Sequence, residues 1–277
     1  MSGVDDKETK VGTLAQADID ELLEQIETEG YAVLRGVVSK DKLEDLHSFI
    51  LDEYARARDA GELFEGGGTL TGHLNCYPGE RARFVYDEIR DHGIVELARR
   101  RDPVAAELPR ATMNFNLPGS VAQHYHMDGV YTGAFLICNV AVVDTDVRNG
   151  AIDVLPGTNR EFYKFWRYAL ERKYKLSTRV PLEQGDVVLR LSTMWHRGTP
   201  NRSDEPRPMA AITFGEYGVE AEDPFRKHDG RVVFYPNWFR TSRVGQLRER
   251  TYKAAPITYS TYRFVRSLYG DKGYDSF

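Results

Sequence analysis

The sequence contains very few cysteines and no long hydrophobic run. Its 277 residues include only Cys76 and Cys138, which lie far apart, so a disulfide framework of the kind found in small secreted domains is not expected. No stretch of about 18 apolar residues is present, so a membrane-spanning helix is not expected either. The first ten residues are polar and lack the apolar segment of a secretory signal. We therefore expect a cytoplasmic protein.

The charge is distributed unevenly along the chain. The net charge is −5 overall, but residues 1–60 carry 7 basic and 15 acidic side chains, a net of −8. Residues 226–277 carry 11 basic and 4 acidic side chains, a net of +7. Such a basic segment is typical of a solvated surface, of one packed on acidic helices, or of one that binds an anionic group, a second subunit or a membrane surface. All of these readings stay open, as do a monomer and a homodimer, but nothing indicates a nucleic-acid partner.

The spacing of the apolar residues predicts helices and short strands in one domain. Helical periodicity predicts helices near residues 14–29, 43–54, 84–100, 161–175 and 244–269. Alternation between Gly- and Pro-bearing turns predicts strands at 31–34, 113–117, 131–143, 151–155, 186–191 and 209–216. Residues 1–12 are predicted to be a disordered tail and residues 61–80 a long loop. The whole predicts a mainly β sandwich or barrel with flanking helices, divided into a helical part (13–110), a β core (111–216) and a basic, aromatic extension (217–277).

Three residues of the predicted core suggest a metal site. His126 and Asp128 are two residues apart, so on an extended segment both side chains point to the same face. His196 follows the predicted strand 186–191 and is the best candidate for a third ligand. Two imidazoles and one carboxylate on one face of a metal are typical of non-heme Fe(II) oxygenases.

The spacing alone leaves alternatives open. Seven histidines in the chain make a chance H-x-D pair common, and His124 with His126 could form the ligand pair instead. A zinc hydrolase also uses two histidines and a carboxylate. The H-E-x-x-H arrangement expected of many such hydrolases is absent from the sequence. The other histidines are expected to be ordinary packing or surface residues: His73, His92, His124 and His228.

Four segments in fixed order resemble a known family. They are residues 29–37 (EGYAVLRGV), 117–128 (ending in QHYHMD), 149–158 (NGAIDVLPGT) and 185–207 (from GDVVL to EPR). Over about residues 14–215 the chain resembles the phytanoyl-CoA dioxygenase (PhyH-like) family of Fe(II)/2-oxoglutarate-dependent oxygenases. The resemblance implies a double-stranded β-helix (jelly-roll) core, Fe(II) and O2 as cofactors, and 2-oxoglutarate as co-substrate.

The resemblance also implies roles for single residues. His126, Asp128 and His196 match the catalytic iron ligands, and Arg207 matches the arginine that pairs with the distal carboxylate of 2-oxoglutarate. A guanidinium offers a fork that fits a carboxylate, although Arg190, Arg197 and Arg202 compete for this role. Met113 is expected to line the co-substrate site. Thr199 is expected to replace a serine that some relatives carry at the position of Gly198.

The chain departs from the family pattern after the Asn-Gly turn. Residues 156–159 read P-G-T-N where the family has P-G-S-H. Asp128 is retained, which argues against a halogenase, because halogenation in this superfamily accompanies loss of that carboxylate.

The expected activity is hydroxylation of an unactivated C–H bond with release of succinate and CO2. The expected partner is a small-molecule substrate of lipid or glycan type, including an anionic one. Desaturation, epimerisation and cyclisation start from the same oxidant and stay open. A catalytically silent jelly-roll that binds a metabolite or sugar is the alternative from another class. The candidate substrate walls are His73, Asn75, Tyr125, Tyr131, residues 162–168 and Trp195.

Overall fold

The computed structural model describes residues 13–104, 109–215 and 223–269, so the predicted tail 1–12 lies outside the described residues. Within these ranges two antiparallel sheets form, with strand orders β1-β7-β4-β9-β3-β2-β10 and β6-β5-β8. The strands are β1 (Tyr31–Leu34), β2 (His73–Tyr77), β3 (Arg110–Asn116), β4 (Leu136–Ala141), β5 (Ile152–Val154), β6 (Thr178–Val180), β7 (Val187–Leu191), β8 (His196–Arg197), β9 (Arg207–Phe214) and β10 (Val233–Tyr235). The α-helices are α1 (Gln16–Glu29), α2 (Lys40–Asp59), α3 (Arg83–Asp91), α4 (Ile94–Arg101), α5 (Phe165–Leu170), α6 (Arg243–Ala254) and α7 (Pro256–Leu268).

The two faces of the large sheet pack against different partners. Its outer face joins helices α1 to α4 in the main hydrophobic core, which contains fully buried residues such as Ile26, Ile50 and Phe115. Its inner face packs against the small sheet, where Val188 and Met209 share a cluster with Ile152. Two facing antiparallel sheets with helices on one side are a jelly-roll architecture, which confirms the predicted fold class.

Strand β3 shows why the inner face is polar. In an extended strand, alternate side chains point to opposite faces. Ala111, Met113 and Phe115 are buried in the helix-covered core, whereas Thr112 and Asn114 line the cavity between the sheets. The apolar half of this strand therefore faces the helices and leaves its polar half for the site.

Several element boundaries differ from the sequence predictions. The predicted loop 61–80 contains strand β2, and β1 and β10 extend the large sheet beyond the predicted core boundaries. The predicted helix at 84–100 is two helices, because Gly93 takes a left-handed conformation with φ of 91°. The predicted C-terminal helix is also divided, at Pro256, since proline fits the first turn of a helix but not its interior.

The two C-terminal helices support the segment that carries the candidate ligands. The Tyr252 hydroxyl of α6 donates to the backbone carbonyl of Ala122 at 2.8 Å. The Arg263 guanidinium of α7, which is 1% exposed, donates to the carbonyl of Tyr125 at 2.8 Å. At least one basic residue of the C-terminal segment, Arg263, is therefore buried and has a structural contact. Among the described residues no helix is both long and apolar enough to cross a membrane.

Candidate metal centre

His126, Asp128 and His196 meet at one point between the sheets. One potential ligand atom from each lies within 4.8 Å of those of the other two. His126 Nε2 is 3.6 Å from Asp128 Oδ1, and His196 Nε2 is 3.5 Å from Asp128 Oδ2. The described residues contain no other group of three histidine, cysteine or acidic side chains so arranged. Two imidazole nitrogens and one carboxylate form a donor set suited to Fe(II).

Backbone pairing brings the two histidines together. The His126 amide donates to the His196 carbonyl at 3.0 Å, and the His196 amide donates back at 2.9 Å. The Asp128 amide donates to the Ser192 carbonyl at 2.8 Å, which fixes the other end of the H-x-D motif. His126 and Asp128 lie on an extended segment held by these bonds, and not within a regular strand.

Hydrogen bonds orient both imidazole rings. His126 Nδ1 lies 2.8 Å from the His124 carbonyl, and His196 Nδ1 lies 3.1 Å from the Met194 carbonyl. A carbonyl oxygen only accepts, so Nδ1 carries the proton and Nε2 presents a lone pair to the centre. Burial lowers the pKa of both imidazoles, which keeps them neutral and able to bind a metal near neutral pH.

Arg190 holds the carboxylate of Asp128. Its Nη2 donates to Asp128 Oδ2 at 2.7 Å, and its Nε donates to Asn139 Oδ1 at 2.8 Å. Burial alone would raise the pKa of Asp128, but the charge and the hydrogen bond of the Arg190 guanidinium outweigh it and hold the pKa well below its usual range. The ionised form is thereby maintained. Sequence reasoning treated Arg190 only as a competitor for the co-substrate; the available signal was an arginine within the apolar strand VVLRL, which requires a buried partner.

Arg207 lies at the start of β9 and lines the same cavity as the three candidate ligands. It is 4% exposed, and its Nη2 donates to the Gly150 carbonyl at 3.1 Å. Its Nε and Nη1 are buried and have no partner among the described residues. Burial lowers the pKa of Arg207 to about 10. An incompletely paired, buried guanidinium is expected to bind an anion.

The other two competing arginines are placed differently. Arg197 donates from Nε to Asp153 at 2.9 Å and lies over the ring of Tyr125. Arg202 is exposed. Of the four arginines considered, Arg207 alone combines burial, the cavity lining and two unpaired donors, since Arg190 is bonded to Asp128.

The cavity between the sheets has a volume of about 420 Å³. That volume lies within the usual range for small-molecule sites, roughly 300–1,000 Å³. The lining includes the candidate ligands and Arg207, together with further polar and apolar residues. The polar group is Asn75, Thr112, Asn114, Gln123, Tyr235 and Asn237; the apolar group is Phe135, Ile137, Ile152 and Met209.

Met113 and Thr199 do not line this cavity, contrary to their expected contact with the co-substrate. Met113 is fully buried in the helix-covered core, because the pleat of β3 directs odd-numbered residues to that face. Thr199 is 1% exposed, and its hydroxyl donates to the Ala151 carbonyl at 2.6 Å. Both side chains pack behind the site.

Most of the expected aromatic substrate walls are packing residues. Tyr125, Tyr168 and Trp195 belong to one buried cluster, with Tyr131 and Phe162 packed against it. None of the five is in the cavity lining, whereas Asn75 is. His73 is 1% exposed, and its Nε2 lies 2.7 Å from the Val121 carbonyl. The cavity lining therefore includes amide and hydroxyl side chains that sequence reasoning mostly missed.

Solved structures share this fold. The epimerase SnoN in complex with Fe3+, alpha ketoglutarate and nogalamycin RO is 20% identical, with 80% of this chain and 94% of that chain covered and a TM-score of 0.54. AviO1 from Streptomyces viridochromogenes Tue57 is 19% identical, with 75% and 99% covered and a TM-score of 0.56. The non-heme alpha ketoglutarate dependent carbocyclase SnoK is 16% identical, with 78% and 89% covered and a TM-score of 0.54.

A family model matches the chain over most of the described core. The phytanoyl-CoA dioxygenase (PhyH) model aligns with residues 26–209, which is well over half of the 277 residues. The matched range includes all three candidate ligands and Arg207. Their geometry fits the cofactors of that family, because the donor set suits Fe(II) and the unpaired guanidinium suits a carboxylate. The chain therefore belongs to the phytanoyl-CoA dioxygenase family of Fe(II)/2-oxoglutarate-dependent enzymes.

Proposed function

We propose that the protein is an Fe(II)/2-oxoglutarate-dependent dioxygenase that hydroxylates an unactivated C–H bond of a small-molecule metabolite. The observation that carries this proposal is the presence of the H-x-D…H donor set and the partly unpaired Arg207 in one cavity. A protein that only binds a metabolite gains nothing from orienting three metal donors or from burying an arginine with two free donors. Both features have a use when iron and a dicarboxylate are bound.

Each residue has a distinct part in this proposal. His126, Asp128 and His196 would hold the iron, and Arg207 would bind the distal carboxylate of 2-oxoglutarate. The iron with its co-substrate supplies O2 activation for C–H cleavage. The overall stoichiometry is R–H plus 2-oxoglutarate plus O2 giving R–OH plus succinate plus CO2.

The surrounding side chains prepare the donors before anything binds. The carbonyls of His124 and Met194 set the imidazole tautomers, and Arg190 keeps Asp128 ionised and fixes one of its oxygens. Such supporting contacts reduce the reorganisation needed when a metal binds. The apolar residues Phe135 and Met209 also line the cavity.

Related outcomes of the same oxidation differ in the mass of the product. SnoN is an epimerase and SnoK a carbocyclase, so these reactions stand beside hydroxylation as alternatives for this chain. Hydroxylation adds one oxygen, desaturation or ring closure removes two hydrogens and releases water, and epimerisation leaves the mass unchanged. Mass spectrometry of the product therefore separates them once a substrate is found.

The function is tested first without a substrate. Fe(II) and 2-oxoglutarate added anaerobically to the purified protein should give a metal-to-ligand charge-transfer absorbance, and O2 should then yield succinate slowly. His126→Ala should abolish both signals, whereas His228→Ala, at an exposed position, should leave them unchanged. Absence of the absorbance in folded, iron-loaded protein would refute the proposal, and so would hydrolytic activity that needs zinc but no O2.

A further inference from the structure

A row of polar side chains crosses three strands beside the candidate metal centre. Tyr235 on β10 pairs in register with Asn75 on β2, which in turn pairs with Asn114 on β3. Asn114 Nδ2 lies 3.4 Å from Asn75 Oδ1, at the limit of a hydrogen bond. Asn114 Nδ2 also lies 3.4 Å from the Leu74 carbonyl. All three residues line the cavity and are half-buried, so the two amides keep further donor and acceptor positions for a bound molecule.

Two further amides extend this row of side chains, and together they form the polar wall of the cavity. Gln123 and Asn237 line the cavity from the segments before the H-x-D motif and after β10. Gln123 Oε1 accepts from the Gly198 amide at 2.8 Å, which orients its NH2 group. Each amide side chain both donates and accepts, as a hydroxyl group does. A carboxylate or phosphate would use only the donors of these amides, so the amides are better matched to hydroxyl groups.

The apolar part of the cavity wall adjoins the polar row on the same sheet. Met209 on β9 pairs in register with Asn114, Phe135 and Ile137 lie at the start of the next strand, β4, and all three are at most 6% exposed. A hydroxylated ring has the same asymmetry, with an apolar C–H face and polar hydroxyl edges. The cavity of about 420 Å³ must also hold the co-substrate, which limits the space left for substrate beside the metal centre.

The cavity also disfavours two other substrate classes. An acyl chain would cover these amides without offering them a hydrogen-bond partner, which costs about 1–3 kcal/mol for each polar group left unpaired. An ammonium group would need a negative partner, but Asp128 is the one carboxylate among the described lining residues, and Arg190 already pairs with it. Amino acids, amino sugars and acyl thioesters are therefore poor matches.

We propose that this wall binds a hydroxyl-rich ring without an ammonium group, of the sugar or cyclitol type, and presents one of its C–H bonds to the metal centre. The proposal rests on the dioxygenase function given above and names the substrate class of that same site. Asn75 and Asn114 would bind the hydroxyl edge of the ring, and the apolar wall would cover its C–H face.

A substrate panel tests the class. Iron-loaded protein with 2-oxoglutarate is given methyl glycosides of common pentoses and hexoses, aryl glycosides and myo-inositol, in parallel with decanoic acid, decanoyl-CoA and lysine. At least one hydroxylated ring should raise succinate formation about tenfold or more over the rate without substrate. The same compound should shift the anaerobic charge-transfer absorbance, which reports binding without turnover.

Variants then test the assignment of the wall. Asn75→Leu and Asn114→Leu should each lower kcat/KM for that ring about 10- to 100-fold while the affinity for 2-oxoglutarate stays within about threefold. Gln25→Leu, the same type of change on the exposed face of α1, should have no effect. Thr112→Val is a milder change on the same wall. If either Leu variant unfolds, the decrease in kcat/KM is measured with Thr112→Val.

The outcomes separate the two proposals. If the charge-transfer absorbance never forms, the dioxygenase function fails and the substrate class fails with it. If the absorbance forms but an acyl chain or lysine stimulates turnover, or no hydroxylated ring does, the substrate class alone is overturned. Unchanged kcat/KM in the Asn75 and Asn114 variants would overturn the role of the polar wall.

Discussion

Replacing Arg207 with methionine should have opposite effects on the stability of the free protein and on co-substrate binding. Methionine retains most of the volume of the arginine side chain but removes the charge. In the free protein Arg207 is buried, with two unpaired donors, and burial lowers its pKa to about 10. That shift corresponds to an unfavourable burial of the charge of about 3 kcal/mol.

Two estimates follow for Arg207→Met. Removing the buried charge recovers part of this energy but loses the hydrogen bond to the Gly150 carbonyl, which contributes about 1 kcal/mol. The free energy of unfolding of the free protein should therefore stay unchanged or rise by about 1–2 kcal/mol. Two charge-assisted bonds to a carboxylate contribute about 3–6 kcal/mol in total, so 2-oxoglutarate affinity should fall at least about 100-fold.

The assay combines urea unfolding of the free protein with anaerobic titration of 2-oxoglutarate into the Fe(II)-loaded protein. Arg202→Met is the matched control, because Arg202 is exposed and was a competing candidate. It should change neither quantity. A variant at 207 that unfolds at least 2 kcal/mol more easily but binds 2-oxoglutarate within threefold of the original protein would refute this reasoning, because Arg207 would then be a structural residue.

Three further predictions follow from buried groups near the site. Arg190→Met removes the counter-charge of Asp128 and should weaken Fe(II) binding about 10- to 100-fold in anaerobic titrations. Arg190→Lys keeps the charge and should restore part of that affinity. Equal Fe(II) affinities in the original protein and both variants would contradict the role of the ion pair. Burial lowers the pKa of His73 to about 4. Between about pH 6.5 and pH 4 the unfolded chain therefore binds a proton at His73 that the folded chain does not bind, so the free energy of unfolding decreases as the pH falls through this range. The difference in unfolding free energy between the original protein and His73→Gln should therefore shrink by about 2 kcal/mol between pH 7.5 and pH 5 in urea titrations, and a pH-independent difference would contradict this. Glu249 is fully buried and accepts from the amides of Gly68 and Thr71. Glu249→Gln should therefore lower the free energy of unfolding by about 1–3 kcal/mol in urea titrations. An unchanged free energy of unfolding would show that these contacts do not stabilise the fold.

Local patterns in the sequence predicted much of the architecture. Strands such as β1 and β7 and helices such as α1 and α2 follow from apolar periodicity and turn residues, which depend on near neighbours in the chain. The motif His126-Met127-Asp128 places two donors on one side of an extended segment, which is also a local property. Together with the family motifs, these features were sufficient to predict the jelly-roll class and a cavity containing the three donors.

Other features depend on contacts between distant parts of the chain. Arg190 reaches Asp128 because the Asp128 amide is bonded to the carbonyl of Ser192, two residues after Arg190. A shift of one residue in the pairing of β7 with β4 would turn the Arg190 side chain to the opposite face of the sheet. The same rule turns Met113 away from the cavity and Asn114 toward it. Strand β10 reaches the edge of the sheet only through pairing with β2, more than 150 residues earlier.

By itself the sequence determined which residues can donate to a metal and which local elements carry them. The tertiary structure decided which arginine holds the carboxylate, which one keeps two donors unpaired, and that amide side chains line part of the cavity in place of the predicted aromatic residues. The physical reason is that composition and periodicity are set within a few residues, whereas the direction of a side chain in a sheet is set by pairing with strands far away in the chain.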